Sequence, residues 1–488
     1  MLGRILGLIR DLMISRMFGS TVDADRAVFV VTIPDVMINI LIGGAMGAAL
    51  IPEFKRRNEA ENWALFRQAS GLVFGVMLLV TGVLAVMAEP ITRTLVSGLP
   101  EDTIPGTARL IQICLWAVPV TAASAVARSM LQGHERFGVP AMAGFFYNLV
   151  VVLGLVYAGN QSNLRWLAVA AVLGAVLSLA MHWLDVRRFR SVERVDGWVI
   201  DRPLVGRFFG ALLAGSMILV VPVAMRGFAS TNGVGGQTII YLASKLVELP
   251  MGTLLSVVSI AMFPAIAAAL AKEDGRSEAV VYARHGLSVI LSLAVPIALG
   301  MGLFSIYFSK LLYFHGRMTE LAVTQIAEGT ALMMLGLVPQ ALNTMLLSIF
   351  NGLRDMKSPF FLSTTGLLIF VGLGFAGVRS LEGLSWLYVA FHWLLMVALL
   401  VSLGVKHRVW LIDGSFAKRA ILRIVVSGGV FAVIFLPAWF YGRDSSPLIG
   451  VLMGILCGGI ALVAGLVADR EVMGQLKGVI SRKMGRKS

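Results

Sequence analysis

The 488-residue chain is 58% hydrophobic and only 14% charged, with a mean hydropathy of +0.85, against roughly 45–50% apolar and about 25% charged residues in soluble domains. That balance excludes a soluble globular fold and describes a polytopic membrane protein. The net charge of +14 does not point to nucleic acid, because Lys and Arg fall mostly in short loops between apolar runs, where membrane topology accounts for them.

Runs of about 20 mostly apolar residues, the length needed to cross a bilayer, predict an all-α protein of about fourteen transmembrane helices. In chain order they centre on residues 1–18, 27–51, 66–88, 109–131, 139–158, 165–185, 204–225, 237–269, 285–308, 325–351, 359–377, 384–404, 418–441 and 447–468. The first, MLGRILGLIRDLMISRMFG, carries Arg4, Arg10, Asp11 and Arg16. Arg10 and Asp11 break the apolar run that a cleaved signal peptide needs, and Met17 to Ser20 make a poor cleavage site. An Arg, Lys or Asp in mid-helix costs about 2.5–3.5 kcal/mol on insertion scales, so such residues face a wet cavity, pair with each other or snorkel to an interface. Arg16 fits the interface. Arg10 lies deep enough to face a cavity, Arg4 suits either place, and Asp11 either faces the cavity or neutralises Arg10.

The second span opens on Asp23 and Asp25, positions where a carboxylate can cap a helix and favour its dipole. Pro34 follows as a candidate kink. In the eighth span Lys245 and Glu248 are three apart and can pair on one face, ahead of a second candidate kink at Pro250. Lys245 either serves that pair alone or faces a cavity beside the kink.

Two matches share nearly one offset. Gln132-Gly133-His134-Glu135-Arg136 to Pro140 resembles Asn351-Gly352-Leu353-Arg354-Asp355 to Pro359, about 219 residues on, and Pro34 with Ala45-Met46 matches Pro250 with Ala261-Met262, about 216 residues on. An offset of six spans keeps each copy in one orientation, a parallel repeat. The expected organisation is an N-lobe over residues 1–190 (spans 1–6), a C-lobe over 191–410 (spans 7–12), spans 13 and 14 over 411–470, and a basic tail over 471–488. Such halves can rock and expose a central site to each side in turn. Lys and Arg favour one set of alternate loops by roughly 3:1, which places both termini in the cytoplasm.

No catalytic grouping is expected, since there is no phosphate-cradling Gly loop and no Ser/His/Asp arrangement. Cys114 and Cys457 lie in apolar runs and the six His are scattered, so neither a disulfide framework nor a metal site is expected. Without a nucleotide domain, any transport is expected to be driven by an ion gradient or the membrane potential, or to run downhill. No cofactor is expected.

The run from Arg4 to Asp11, then Phe18-Gly19, Asp25, Pro34, Gly44-Ala45 and Ile51-Pro52, resembles the opening of the MurJ (MviN-type) lipid II flippase family. The likeness continues at Tyr241 to Gly252, Tyr313 to Thr319 and Arg354 to Pro359, in order along nearly the whole chain. It implies a bacterial inner-membrane protein of the multidrug/oligosaccharidyl-lipid/polysaccharide exporter (MOP) fold. Such a protein moves the undecaprenyl-diphosphate-linked peptidoglycan precursor, lipid II, outward by alternating access, with the last two helices lining a groove for the lipid tail. Carried over, the family's paired first-helix arginines fall on Arg4 and Arg10, its second-helix aspartate on Asp25, and its eighth-helix basic residue on Lys245, where Arg is usual. A diphosphate calls for several cations, Arg supplying paired donors and Lys a point charge.

The chain departs from the family pattern at Ile38-Asn39, where an Arg is usual, at Gly43, where Glu is usual, and at Ser244, where Asp is usual. Members also tend to carry a further stretch ahead of the Arg4 motif. The expected reading is a lipid II flippase with Arg4, Arg10 and Lys245 on the diphosphate and Asp11, Asp25 and Glu248 as charge partners. Two others stand beside it: a flippase for another polyprenyl-diphosphate glycan of O-antigen or exopolysaccharide type, and a non-transporting membrane scaffold for wall-synthesis proteins.

Overall fold

A computed structural model describes residues 2–40, 46–96, 98–193, 195, 197–273, 275–442 and 446–468. Gly43 and the basic tail lie outside them. Every regular element among the described residues is helical. The chain runs through α1 (Leu2–Phe18), α2 (Val22–Ile40), α3 (Met46–Arg56), α4 (Glu59–Val86), α5 (Ala88–Leu95), α6 (Ile104–Leu115), α7 (Ala117–Gly133), α8 (Gly138–Asn160) and α9 (Arg165–Val186). It continues through α10 (Arg202–Ala229), α11 (Gly236–Pro250), α12 (Ser256–Leu270), α13 (Arg276–Leu303), α14 (Ser305–Tyr313), α15 (Glu320–Met334) and α16 (Leu337–Gly352). The last four are α17 (Lys357–Phe375), α18 (Leu381–His407), α19 (Gly414–Gly442) and α20 (Pro447–Ala468).

All fourteen expected segments are helical where described. Among the described residues ten are long and apolar enough to cross a membrane, and α15 with α16, bent by 49°, forms an eleventh candidate. α1, with four charges in seventeen residues, is not among them. Pro250 does mark a break: α11 passes into α12 through a π-helical turn, Met251–Leu255, the local form in which a helix absorbs an extra residue. Pro34 falls within the bounds of α2; its side chain lies outside the described residues.

The chain forms two compact units from interleaved segments. One comprises Met1–Tyr241, Tyr313–Ala322 and Val371–Ser380; the other comprises Leu242–Leu312, Val323–Phe370 and Leu381–Ser488. In the first, α3, α4 and α7 enclose a core around Phe54, Leu65, Phe66, Val126 and Met130, and a second cluster gathers Phe29, Ile104, Ile111 and Val118. In the second, Phe304, Tyr307, Phe431 and Cys457 pack α13, α14, α19 and α20 together.

The two turns matched in sequence share their backbone geometry. α7 ends at Gly133 and α16 at Gly352, followed by Glu135 at φ 60° and Arg354 at φ 57°. Three hydrogen bonds close each turn at matching positions: His134, Glu135 and Arg136 donate to Met130, Gln132 and Leu131, and Leu353, Arg354 and Asp355 donate to Ile349, Asn351 and Phe350. Each turn is also tied to the end of the next-but-one helix by charge, through Arg136 to Asp185 at 3.3 Å and Asp355 to Lys406 at 2.8 Å.

Asp355 further meets His407 at 2.7 Å and accepts from the Ser358 hydroxyl at 2.6 Å. Burial alone would raise its carboxyl, but the donors Lys406, Ser358 and His407 outweigh it and hold the group well below the usual carboxylate range. A carboxyl depressed on folding contributes stability above its unfolded pKa, about 3.9, and loses that contribution as pH falls from there through the folded value. Asp355→Asn is therefore expected to destabilise the fold at pH 7 by on the order of 1 kcal/mol, read as a lower midpoint of thermal unfolding. The gap to wild type should narrow progressively as pH falls below about 4. A gap independent of pH would refute the carboxylate's role.

Candidate functional site

α1 carries the residues that the sequence singles out first. Arg10 is 3% exposed and Asp11 equally so, while Arg16, at the other end of the helix, is exposed. Arg10 has two carboxylates around it. Its Nη1 and Nη2 donate to Asp35 at 3.1 and 2.7 Å, and its Nε donates to Asp11 at 3.0 Å. The Tyr241 hydroxyl donates to Asp11 at 2.7 Å and lies 3.4 Å from Arg10 Nη2. A second cation closes the network: Arg226 lies over the Tyr241 ring, 4.6 Å from its centre, and donates to the Thr32 hydroxyl at 3.0 Å.

Arg10 and Asp11 are buried together, with Asp35 partly exposed beside them. A buried charge persists only when paired and hydrogen-bonded, which is why Arg10 occurs with Asp11 and Asp35 around it. The fork that Arg10 offers Asp35 is the geometry by which Arg grips a phosphate, so a diphosphate can compete for it only by displacing a carboxylate.

Asp25 departs from the expected capping of its own helix. Thr21 takes that place, its hydroxyl accepting from the Ala24 amide at 3.4 Å. The Asp25 carboxylate, 2% exposed, instead reaches the start of α11 and accepts from the Gly235 amide at 2.8 Å, the Thr238 amide at 2.8 Å and the Thr238 hydroxyl at 2.6 Å. It caps α11 from a distant point in the chain and favours that helix's dipole.

A reciprocal glycine contact lies nearby in the chain. Gly19 follows α1 at φ +66° and faces the Arg317 carbonyl; Gly316 has the same φ and faces the Arg16 carbonyl. The Arg317 amide donates to Arg16 O at 3.1 Å. A Cβ at either glycine would overlap the opposing carbonyl. Both turns therefore need glycine for approach as well as for backbone conformation.

In the other unit, Lys245 pairs with Glu248 at 2.6 Å, and neither side chain is fully buried. The expected i,i+3 pair forms. Ser244, where the family usually has Asp, is buried. The Arg4 side chain lies outside the described residues. Among those described, no group of three or more His, Cys, Asp or Glu is placed to hold a metal ion.

Sequence reasoning missed Asp35, Tyr241, Thr238 and Arg226. Asp35 gave a signal, an acid in an apolar span directly after Pro34. Arg226 stands near the end of the seventh expected span, where a cation reads as a loop charge, yet it is 6% exposed within α10. Tyr241 and Thr238 gave none, because an uncharged hydroxyl in an apolar run marks nothing by itself.

A family model described as Lipid II flippase MurJ matches residues 14–436. A relative from Rhizobium tropici named "Probable lipid II flippase MurJ" is 26% identical, covering 99% of this chain and 94% of the relative. One from Burkholderia cenocepacia named "Lipid II flippase MurJ" is 23% identical over 74% of this chain and 72% of its own. A solved structure of lipid II flippase MurJ in an inward closed conformation superposes with a TM-score of 0.78 at 18% identity, covering 96% of this chain and 98% of the other. An inward-facing multidrug resistance MATE family transporter of the MOP superfamily superposes with a TM-score of 0.65 at 14% identity, covering 85% and 96%. These structural likenesses establish the fold.

Proposed function

Because the chain belongs to the MurJ lipid II flippase family, we propose that it moves lipid II from the inner to the outer leaflet of the bacterial cytoplasmic membrane by alternating access, for cell wall synthesis. The observation that supports this reading is Arg10, a buried guanidinium in α1 whose donors are held by the carboxylates of Asp11 and Asp35. Arg4, Arg10 and Lys245 take the diphosphate. Asp11 and Asp35 hold Arg10 while no substrate is present, and Glu248 does the same for Lys245. Asp25 releases and recaptures the start of α11 as access alternates. The step moves a lipid and makes or breaks no covalent bond; it draws on an ion gradient or the membrane potential.

In this reading residues 1–190 and 191–410 act as N- and C-lobes, 411–470 add a groove for the lipid tail, and both termini and the basic tail over 471–488 face the cytoplasm. Wall-synthesis proteins are partners. Depletion of the protein should trap lipid II in the inner leaflet, measured by surface labelling of the precursor. Normal surface exposure in a strain with no second flippase would overturn the assignment.

The departures at Ile38-Asn39 and Ser244 favour a second reading, a flippase for another polyprenyl-diphosphate glycan. Failure to replace an authentic lipid II flippase would support it. Lys245 offers a sharper test of the diphosphate site. Lys245→Arg restores the residue usual in the family and should preserve complementation. Lys245→Glu places like charge beside Glu248 and should abolish it, with protein level and membrane insertion unchanged. Equal growth of the two variants would remove Lys245 from the site.

A further inference from the structure

A groove of about 580 Å³ opens on the first unit between α4 and α9, with α7 behind it. One wall is a helical face of α4: Arg67, Gly71 and Phe74 follow at i, i+4 and i+7, with Phe66 and Ser70 alongside. The opposite wall is the face of α9 that ends in Trp183. Small residues create the space. A Cβ built on Gly71 meets nothing within 4 Å.

The groove straddles a change in the character of α4. Residues 59–68 carry Glu59, Glu61, Asn62, Arg67 and Gln68, whereas the run from Gly71 is apolar. Trp63, Phe66 and Trp183 cluster at that level, with ring centres 5.4 to 6.3 Å apart, as Trp does at a membrane interface. Two polar groups lack partners there. Arg67 is exposed and makes no hydrogen bond or ion pair among the described residues, and the enclosed Ser70 hydroxyl makes no hydrogen bond.

We infer that this groove binds one anionic phospholipid, with a single acyl chain along the apolar floor and the headgroup phosphate against Arg67 and Ser70. The match is one of charge and order: cation and hydroxyl at the polar end, apolar walls beyond, in the sequence that a phospholipid presents. A loose annular lipid has no need of an unpaired guanidinium set into a concave wall. The inference rests on the membrane assignment alone and is independent of what the protein transports.

The test uses the full chain in detergent, with phosphatidylglycerol and phosphatidylcholine as probes and native mass spectrometry as the readout. Wild type should retain phosphatidylglycerol roughly fivefold more tightly than phosphatidylcholine, as one basic residue near an anionic headgroup implies. Arg67→Gln should bring phosphatidylglycerol down to the level of phosphatidylcholine. Gly71→Leu, whose Cβ meets nothing within 4 Å and whose side chain enters the groove, should lower both. Equal retention of the two lipids by wild type, or wild-type retention by both variants, would overturn the proposal. Displacement of phosphatidylglycerol from wild type by undecaprenyl diphosphate would also overturn it, by giving the groove to the transported class of lipid. Since the readout is lipid retention, it stands or falls apart from the flippase reading.

Discussion

Arg10→Ala is expected to abolish complementation of a strain depleted of its lipid II flippase, while Arg16→Ala complements as wild type. The contrast follows from surroundings, since both residues are arginines of α1. Removing the Arg10 side chain leaves Asp11 and Asp35 without the cation that each meets at 3.0 Å or less. An uncompensated buried charge costs about 3–5 kcal/mol. Arg16 is exposed and contributes its backbone carbonyl, not its side chain, to the bond with Arg317. Truncation there should stay within about 0.5 kcal/mol of wild type.

Loss of function at Arg10 could reflect a damaged fold, so a second variant separates the causes. Arg10→Ala combined with Asp11→Asn and Asp35→Asn removes the stranded carboxylates and should recover protein level and thermal midpoint. It should still fail to complement, because no neutral side chain grips a diphosphate. Arg10→Lys should fall between, keeping the charge and losing the paired donors. Complementation by the triple variant would mean that Arg10 serves only to neutralise its neighbours.

These predictions show what was legible in the sequence and what was not. Helix positions were legible because a bilayer demands long apolar runs, and the repeat was legible because two turns reuse one arrangement of Gly, charge and Pro. Arg10 and Lys245 stood out because a cation in such a run is costly. Their partners were less visible. Lys245 meets Glu248 within its own helix, a pairing that spacing gives directly. Arg10 meets Asp35, 25 residues away, and lies near Tyr241, 231 residues away, and no local pattern encodes such contacts. Arg226 shows the same limit, since a cation near the end of a span reads as a loop charge until Thr32 and the Tyr241 ring are seen around it. Asp25 reads as a cap of its own helix, and only the packing of distant segments makes it the cap of α11 instead.

That cap makes the second strong prediction. Asp25 offers both oxygens to the start of α11, one to the Gly235 amide and the other to the Thr238 amide and hydroxyl. Asp25→Ala leaves these buried donors without their acceptor, at about 1–3 kcal/mol each. A net local loss of roughly 3 kcal/mol raises amide hydrogen exchange at Gly235 and Thr238 about a hundredfold. Asp25→Asn is not conservative here, because its amide nitrogen must face one of the donors, and it should approach the alanine variant. Thr238→Val removes only the hydroxyl and keeps both backbone donors, so it should cost about 1 kcal/mol and raise exchange several-fold. The same order should hold for complementation, Thr238→Val growing well and both Asp25 variants poorly, if release and recapture of α11 is a step of transport. Exchange that rises without loss of growth would leave Asp25 a structural cap and remove it from the gate. Exchange unchanged in Asp25→Ala would show that the start of α11 is held by its other contacts.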